Sequence, residues 1–250
     1  MARDELISRR ASSFGSRAAD YAEHRPDYPT AAVEWAMAPV AAGRPRVLDL
    51  AAGTGKLTAV IVDLGFEVVA VEPDDAMRAE LSALLPDVTA LAGTAEQIPL
   101  ADASVDAVLV GQAMHWFDHE RALPEIGRVL RPGGVLGGLS NDDDFSVDWV
   151  VGLDGIHTAN TTGGARGIHL PVELGPFGDL ERTDFPHRQR RTAESLVATA
   201  STHSLFLTMP EPERSRTLDR MLAYLKSRPE TAEGEFDFPM RTLTVRTIRS

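Results

Sequence analysis

The 250-residue chain has an ordinary globular composition, with 43% hydrophobic and 25% charged residues. Its 37 acidic and 25 basic residues give a formal net charge of −12, and an acidic surface that repels phosphate disfavours a nucleic acid partner. The absence of cysteine excludes disulfides, thiolate metal sites and a thiol nucleophile. No run is apolar enough for a membrane span, and the charged first residues do not resemble a secretory signal. We therefore expect a cytoplasmic protein with no membrane partner.

After a polar first 45 residues, the chain alternates short apolar runs with helical patterns. Five runs are typical of buried strands: residues 46–51, 67–72, 88–93, 105–110 and 134–140. Apolar side chains recur at helical spacing after each of the first two runs: Leu57, Val60, Ile61 and Leu64, then Met77, Leu81, Leu84 and Leu85. This alternation predicts a parallel sheet with helices on both faces.

Proline and charge guide the interpretation of the later segments. Because Pro124 disfavours a helix that runs through it, we expect the fourth helix to begin near Pro124 and to end at "RPGG", residues 131–134. The segment "NDDDFS", residues 141–146, predicts a solvated loop. Pro186 lacks the N–H that a central strand needs, so the segment around it predicts an edge strand. Two helices and a β-branched strand complete the prediction, at residues 193–202, 211–227 and 241–249.

The turn at residues 49–55, "DLAAGTG", is typical of a loop that holds a nucleotide-like ligand. A dinucleotide fingerprint needs a third glycine where Thr58 stands, and a phosphate-binding loop needs Ser or Thr after Lys56, where the chain has leucine. Asp49 would also oppose a pyrophosphate at the following helix N-terminus. The turn therefore favours a cationic adenosyl compound.

Four segments carry a family resemblance, in this order: "VLDLAAGTGKLT", "VVAVEPDDAM", "GTAEQIPLADASVDAVLVGQAMHWFD" and "RVLRPGGVL". Over about residues 14–140 the chain resembles the class I methyltransferases that use S-adenosylmethionine. It is most similar to their small-molecule branch, which includes the trans-aconitate and the ubiquinone and menaquinone methyltransferases. The resemblance implies an α/β fold, with a Rossmann-like, doubly wound, mostly parallel seven-stranded sheet, an antiparallel last strand and a partly helical cap.

The resemblance also implies a division of the chain into four parts. Residues 1–45 would form a helical segment that closes over the cofactor, and residues 46–140 the cofactor-binding core. Residues 141–235 would form a substrate lid with an edge strand and helices, and residues 236–250 the final strand of the core sheet.

By the same resemblance, the cofactor is S-adenosyl-L-methionine, the product is S-adenosyl-L-homocysteine, and no metal is expected. The implied cofactor-binding residues are Tyr21, Arg25, Asp49, Ala51, Gly53, Gly55, Glu72, Pro73, Thr94, Ala95, Glu96 and Gln112. Asp49 would neighbour the methionine amino group, unless it only caps the turn, and Glu72 would accept hydrogen bonds from two ribose hydroxyls. Many relatives have aspartate at Thr94, so we expect adenine to be held mainly by the Ala95 amide and apolar walls.

Several roles stay open at this stage. Glu96 could bind cofactor or be a solvated acid at a helix start. Glycine is frequent in the family at the Ala51 position, and we expect alanine there to tighten the packing without loss of binding. Tyr21 and Arg25 would close over the cofactor, with Arg25 on its carboxylate, unless they belong to an exposed helix.

His115 and Trp116 would face the substrate, with His115 as the catalytic residue if a base is needed. Each also has a plainer interpretation, His115 as a structural histidine and Trp116 as a core residue. The expected activity is O-methylation of a carboxylate or hydroxyl of a small molecule, by a monomer or homodimer. The alternatives are a non-catalytic regulatory protein that binds S-adenosylmethionine or S-adenosylhomocysteine, and methylation of nitrogen or carbon.

Overall fold

The computed structural model describes residues 27–158, 167–168, 170–171, 173–201, 206 and 209–250. Within these ranges we number the elements in chain order. They are α1 (Thr30–Met37), β1 (Arg46–Leu50), α2 (Lys56–Asp63), β2 (Glu67–Val71), α3 (Asp75–Leu84), β3 (Thr89–Leu91), β4 (Val105–Gly111), a 3-10 turn (Met114–Trp116), α4 (His119–Val129), β5 (Leu130–Asp143), α5 (Asp148–Thr158), β6 (Glu181–Arg191), α6 (Ala193–Ser201), α7 (Glu211–Lys226) and β7 (Phe236–Ile248). None of the helices described is both long and apolar enough to span a bilayer.

The seven strands form one mixed sheet in the order β3-β2-β1-β4-β5-β7-β6. The pairs among β1 to β5 are parallel, while β7 runs antiparallel to both β5 and β6. The predicted Rossmann-like fold, with a mostly parallel sheet and an antiparallel last strand, is confirmed.

Apolar side chains bury both faces of the sheet. On one face, α1 and α2 pack through a cluster that includes Val33, Met37, Leu57 and Ile61. On the other face, α4 packs through a larger cluster that includes Ile126. Helices on both sides leave the carboxyl ends of the parallel strands open, which is where such sheets bind ligands.

A third apolar cluster lies among α5, α6, α7 and the first half of β7. Trp149 packs edge-on against Phe236, with ring centroids 5.9 Å apart, and Met221 and Leu225 are fully buried beside them. Gly152 is required here, because a Cβ at this position would lie 2.2 Å from the Tyr224 hydroxyl. We call this helical part the cap, and its core the cap core.

Strand β5 corrects the prediction for residues 141–146. It continues through Asp143, because Asn141 pairs with Thr242 and Asp143 pairs with Met240 of β7. The predicted loop therefore begins only at Asp144. The acidic residues led to the prediction of a loop, whereas this part of the chain is a strand whose partner lies about 100 positions later.

The predictions made from Pro186 and Pro124 had different outcomes. The edge strand predicted around Pro186 is confirmed, since β6 is the last strand of the sheet among the described residues and pairs with β7. The predicted start of α4 near Pro124 is wrong, because the helix begins at His119 and contains that proline. Pro124 leaves the Glu120 carbonyl without a donor, but both residues are exposed, so water can solvate that carbonyl.

Candidate functional site

An open cleft lies at the carboxyl ends of β1 and β4. It is lined by Tyr28, Asp49, Ala51, Ala52, Gly53, Thr54, Lys56, Leu57, Gly111, Gln112 and Asn141. The chain leaves β1 toward β2 on one side, while β4 lies on the other side, so the cleft occupies the point where the strand order reverses. Open α/β sheets bind nucleotide-like ligands at this point.

The turn between β1 and α2 is compact and strained. The Ala52 N–H donates to the Val71 carbonyl at 3.1 Å, and the Gly55 N–H donates to the Ala52 carbonyl at 3.0 Å. Ala51 has a left-handed φ of 59°, which costs a residue with a Cβ about 1–2 kcal/mol. Alanine in place of the family's frequent glycine therefore carries a conformational cost at position 51. The expectation that Ala51 tightens the packing did not include this cost.

The two glycines of the turn have different functions. Gly53 lines the cleft and has φ of 58°; among the described residues, the Met77 sulfur, at 4.0 Å, is the one atom near the position of a Cβ. Gly55 has φ of 89°, and a Cβ there would lie 3.0 Å from Cγ of Leu81. Gly53 thus leaves room on the cleft side, whereas Gly55 lets α2 pack against α3.

Asp49 is the buried acid of the cleft, with 1% of its surface exposed. Its Oδ2 accepts a hydrogen bond of 2.5 Å from the Thr58 hydroxyl, and its Oδ1 has no hydrogen-bond partner among the described residues. Burial raises the pKa of Asp49 to about 7, while hydrogen bonds from Thr58 oppose that rise and the charge of Glu72 adds to it. The site therefore holds a carboxylate that a cationic ligand would stabilise.

Glu72 joins the end of β2 to the turn. It is 5% exposed; its Oε2 accepts from the Gly53 N–H at 2.8 Å and its Oε1 from the Asp74 N–H at 2.9 Å. Burial raises the pKa of Glu72, and these two hydrogen bonds limit the rise. Asp74 then caps α3 by accepting from the N–H groups of Ala76 and Met77. The exposed Pro73 lies between the two acids.

The loop after β3 contains the three residues that the resemblance assigned to the adenine end. Thr94 is exposed and its N–H donates to the Gln97 carbonyl, while Ala95 is buried in the core. The Glu96 carboxylate accepts from the Asp118 N–H at 3.0 Å, just ahead of α4. No helix begins at Glu96, so the helix-start alternative for this acid is wrong. Glu96 instead ties the loop to the segment that follows β4.

At the end of β4, Gln112 has a positive φ of 58° and is held on three sides. Its N–H donates to the Leu139 carbonyl, its side-chain amide donates to the Asn141 carbonyl, each at 2.8 Å, and its Oε1 accepts from the Ser140 hydroxyl at 3.1 Å. This predicted residue lines the cleft in a fixed conformation.

Tyr28, Lys56 and Asn141 are among the cleft residues that the sequence prediction missed. The Lys56 ammonium donates to the Asp27 carboxylate at 2.9 Å, and the Asn141 side chain donates to the Asp27 carbonyl at 3.2 Å. The buried Tyr28 lies with its hydroxyl close to Gly111, where a Cβ would be 2.6 Å away. Tyr28 belongs to residues 1–45, for which the resemblance implied closure over the cofactor without a role for this residue. Tyr21 and Arg25 lie outside the described residues.

His115 and Trp116 lie in the 3-10 turn after β4, with ring centroids 4.6 Å apart. His115 is exposed, and Trp116 is half-buried against the core of the α4 face. Neither residue lines the cleft. Among the residues that the structure describes, no group of three His, Asp or Glu side chains could hold a metal ion.

Residues 48–137 match the family model of a methyltransferase domain. The chain is also 43% identical over 235 residues to an uncharacterized methyltransferase of Mycobacterium tuberculosis, and the match covers 94% of each protein. The chain belongs to the methyltransferase family.

A second relative of this methyltransferase, an uncharacterized methyltransferase-like protein of Schizosaccharomyces pombe, is 34% identical over 210 residues, or 82% of each chain. Among solved structures, one from Anaeromyxobacter dehalogenans, assigned to the type II methyltransferases, superposes with a TM-score of 0.68 at 26% identity. That superposition covers 90% of this chain and 97% of the other. The predicted family and enzyme class are confirmed, and the class I fold implies S-adenosylmethionine as the methyl donor.

Proposed function

We propose that this methyltransferase transfers a methyl group from S-adenosylmethionine to an oxygen atom, a carboxylate or a hydroxyl, of a small acidic or aromatic metabolite. The observation that carries the donor assignment is the buried carboxylate of Asp49, whose Oδ1 has no hydrogen-bond partner among the described residues and whose side chain lines the cleft. A buried acceptor without a partner costs stability, so a ligand that donates to it is expected. The donor carries an ammonium group on its methionine part, which fits this requirement.

Lys56 in the cleft, and Glu72 and Ala95 outside its lining, suit the remaining parts of the donor. Lys56, at the first position of α2, would attract the donor carboxylate, together with the positive end of the helix. Glu72, beside the turn, would accept from the ribose hydroxyls, and the Ala95 backbone would contact adenine. The bound donor supplies an electrophilic methyl group on a sulfonium. The roles proposed from the resemblance for Tyr21 and Arg25 stay predictions.

Binding of S-adenosylhomocysteine, measured by calorimetry, tests the donor assignment. In Glu72→Gln an amide NH₂ group, which cannot accept a hydrogen bond, replaces one carboxylate oxygen. Because a charge-assisted hydrogen bond contributes about 1.5–3 kcal/mol, affinity should fall on the order of tenfold to several hundredfold. Glu67→Gln is the matched control, since Glu67 is exposed at the other end of β2 and pairs with Arg46. Unchanged affinity in Glu72→Gln, or comparable binding of NAD by the unmodified protein, would contradict the assignment.

The acceptor assignment is supported by charge and by the position of His115. A net charge of −12 disfavours RNA, and the turn holding His115 and Trp116 follows directly on the β4 end of the cleft. In methyl transfer, the chain must hold the acceptor oxygen near the methyl group and exclude water. A carboxylate acceptor needs no base, whereas a hydroxyl must lose its proton, and His115 could accept it.

Mass spectrometry of products from a panel of carboxylic acids and phenols tests the acceptor, and His115→Ala separates the two versions. We expect a carboxylate acceptor, for which the substitution costs about tenfold and leaves the rate at saturating S-adenosylmethionine flat from about pH 6 to 9. With a hydroxyl acceptor, the unmodified enzyme at saturating donor should show a rate that rises with pH as the base loses its proton, and alanine should remove that rise together with about 10²–10⁴-fold of activity. Methylation of nitrogen or carbon, or binding without turnover on any panel member, would contradict both versions.

A further inference from the structure

Thr58 makes a polar contact that the donor assignment does not use. It lies in the first turn of α2, with no exposed surface, and its hydroxyl is 2.5 Å from Oδ2 of Asp49. A buried β-branched residue with a hydroxyl is a poor choice for helix propensity alone. We therefore attribute the threonine at this position to the hydrogen bond that its hydroxyl donates to Asp49, and not to helix stability.

The other charged groups around Asp49 do not substitute for this contact. Glu72, at the end of β2, carries a like charge that opposes ionisation of Asp49. Lys56, on α2, lines the same cleft, but its ammonium pairs with Asp27, which precedes α1. The stabilising hydrogen bonds on Asp49 come from Thr58, and they favour its charged form.

The contact also determines which oxygen of Asp49 is available. With Oδ2 engaged by Thr58, Oδ1 is the atom that has no hydrogen-bond partner among the described residues. We propose that Thr58 is a positioning residue that keeps Asp49 ionised with one oxygen available to the cleft, so that the site selects ligands that carry an ammonium group. This inference rests on the proposed function.

Two ligands and two variants test the proposal. S-adenosylhomocysteine carries the amino acid part, whereas 5′-methylthioadenosine has the same nucleoside without it. Thr58→Val keeps the side-chain shape and removes the hydroxyl, and Thr58→Ser keeps the hydroxyl. Dissociation constants for both ligands are measured from pH 5.5 to 8.5 with each protein.

For the unmodified protein, we expect S-adenosylhomocysteine affinity to fall about tenfold per pH unit below pH 7, because Asp49 must lose its proton to bind the ammonium group. In Thr58→Val the midpoint of this fall should move to higher pH, with at least about tenfold weaker binding at pH 7 and a smaller difference at pH 8.5. Thr58→Ser should follow the unmodified protein. Affinity for 5′-methylthioadenosine should be the same in all three proteins.

Three results would overturn the proposal. One is an S-adenosylhomocysteine affinity of the unmodified protein that does not change with pH. This measurement does not depend on the folding of any variant. Another is an equal, pH-independent loss of affinity for both ligands in Thr58→Val, which is the result expected if Thr58 has only a structural role. The third is unchanged S-adenosylhomocysteine binding in that variant. Failure of the unmodified protein to bind either ligand would instead overturn the proposed function itself, and this inference with it.

Discussion

Asp49 lies where an ionised carboxyl group is poorly solvated, so it should lower the stability of the fold that carries it. Burial raises the pKa of Asp49 to about 7, and the unfolded chain releases the same proton near pH 4. Between these values the folded protein holds a proton that the unfolded chain has lost. Stability from this residue is therefore present at low pH and is lost as pH rises toward 7.

Asp49→Asn removes the charge and should reverse this loss. At pH 8 we expect the free energy of unfolding of the variant to exceed that of the unmodified protein by on the order of 2–4 kcal/mol, with a difference that shrinks toward pH 5. Its S-adenosylhomocysteine binding should be lost, as expected where function requires a destabilising residue. Thermal and denaturant unfolding at several pH values measure the effect, with Asp63→Asn, at an exposed position at the end of α2, as control. A variant that is less stable than the unmodified protein at pH 8 would contradict this account.

At this scale, the local pattern was sufficient to locate residues whose position depends on their own strand or turn. Asp49 lies near the end of β1, Glu72 directly follows β2 and Gly53 lies in the turn, while their roles toward the donor stay predictions. Asn141 and Lys56 were missed because their roles come from Asp27, which is 114 positions before Asn141 and 29 before Lys56. Thr58 served only to exclude a dinucleotide site, since spacing cannot show which hydroxyl reaches a carboxylate.

Among the elements, α4 holds the loop after β3 in position. Arg128 of α4 donates to the carbonyls of Ile98 and Leu100, at 3.0 and 2.8 Å, and Glu125 accepts from the Ile98 N–H at 2.8 Å. Arg128 and Glu125 also pair with each other at 2.8 Å. The helix thus fixes the backbone of the segment to which Ala95 belongs.

Arg128→Met should release this loop while keeping the helix. Each lost hydrogen bond from a charged group contributes about 1.5–3 kcal/mol locally, so hydrogen exchange at residues 94–104 should become faster. S-adenosylhomocysteine affinity should fall a few-fold if the Ala95 backbone holds adenine. Arg131→Met is the matched control, because Arg131 pairs with Asp106 of β4 instead of the loop. Unchanged exchange at residues 94–104 would show that the loop is held by other contacts.

Element prediction succeeded where one local signal dominated and failed where tertiary contacts decided the outcome. Pro186 was enough to place β6 at an edge. Pro124 was misleading, because α4 packs its apolar face on the sheet strongly enough to tolerate a proline on the exposed face. For β5, the acidic residues after Ser140 predicted solvent, whereas pairing with β7 extends the strand to Asp143.

Among the described residues, two large apolar clusters and a small one beside α3 enclose the sheet, and a further cluster forms the cap core. The sheet follows from the sequence because each of its parallel strands is an apolar run. The periodicity of the sequence does not predict the arrangement of the cap. That arrangement depends on tertiary packing, in which the cap helices contact each other and the first half of β7. We keep as a proposal that residues 141–235 cover the substrate and that residues 1–45 close over the cofactor.

Strand β7 contributes to two of these clusters, with Val245 in the core of the α4 face and Phe236, Phe238 and Met240 in the cap core. It also lies between β5 and β6 in the sheet, although it follows both of them in the chain. During translation, β6 and the cap helices therefore leave the ribosome before the strand that pairs with β6 and completes the cap core. Until residues 236–248 emerge, the nascent chain exposes unpaired edges on β5 and β6 beside apolar cap surface, a state that chaperones bind and that favours aggregation.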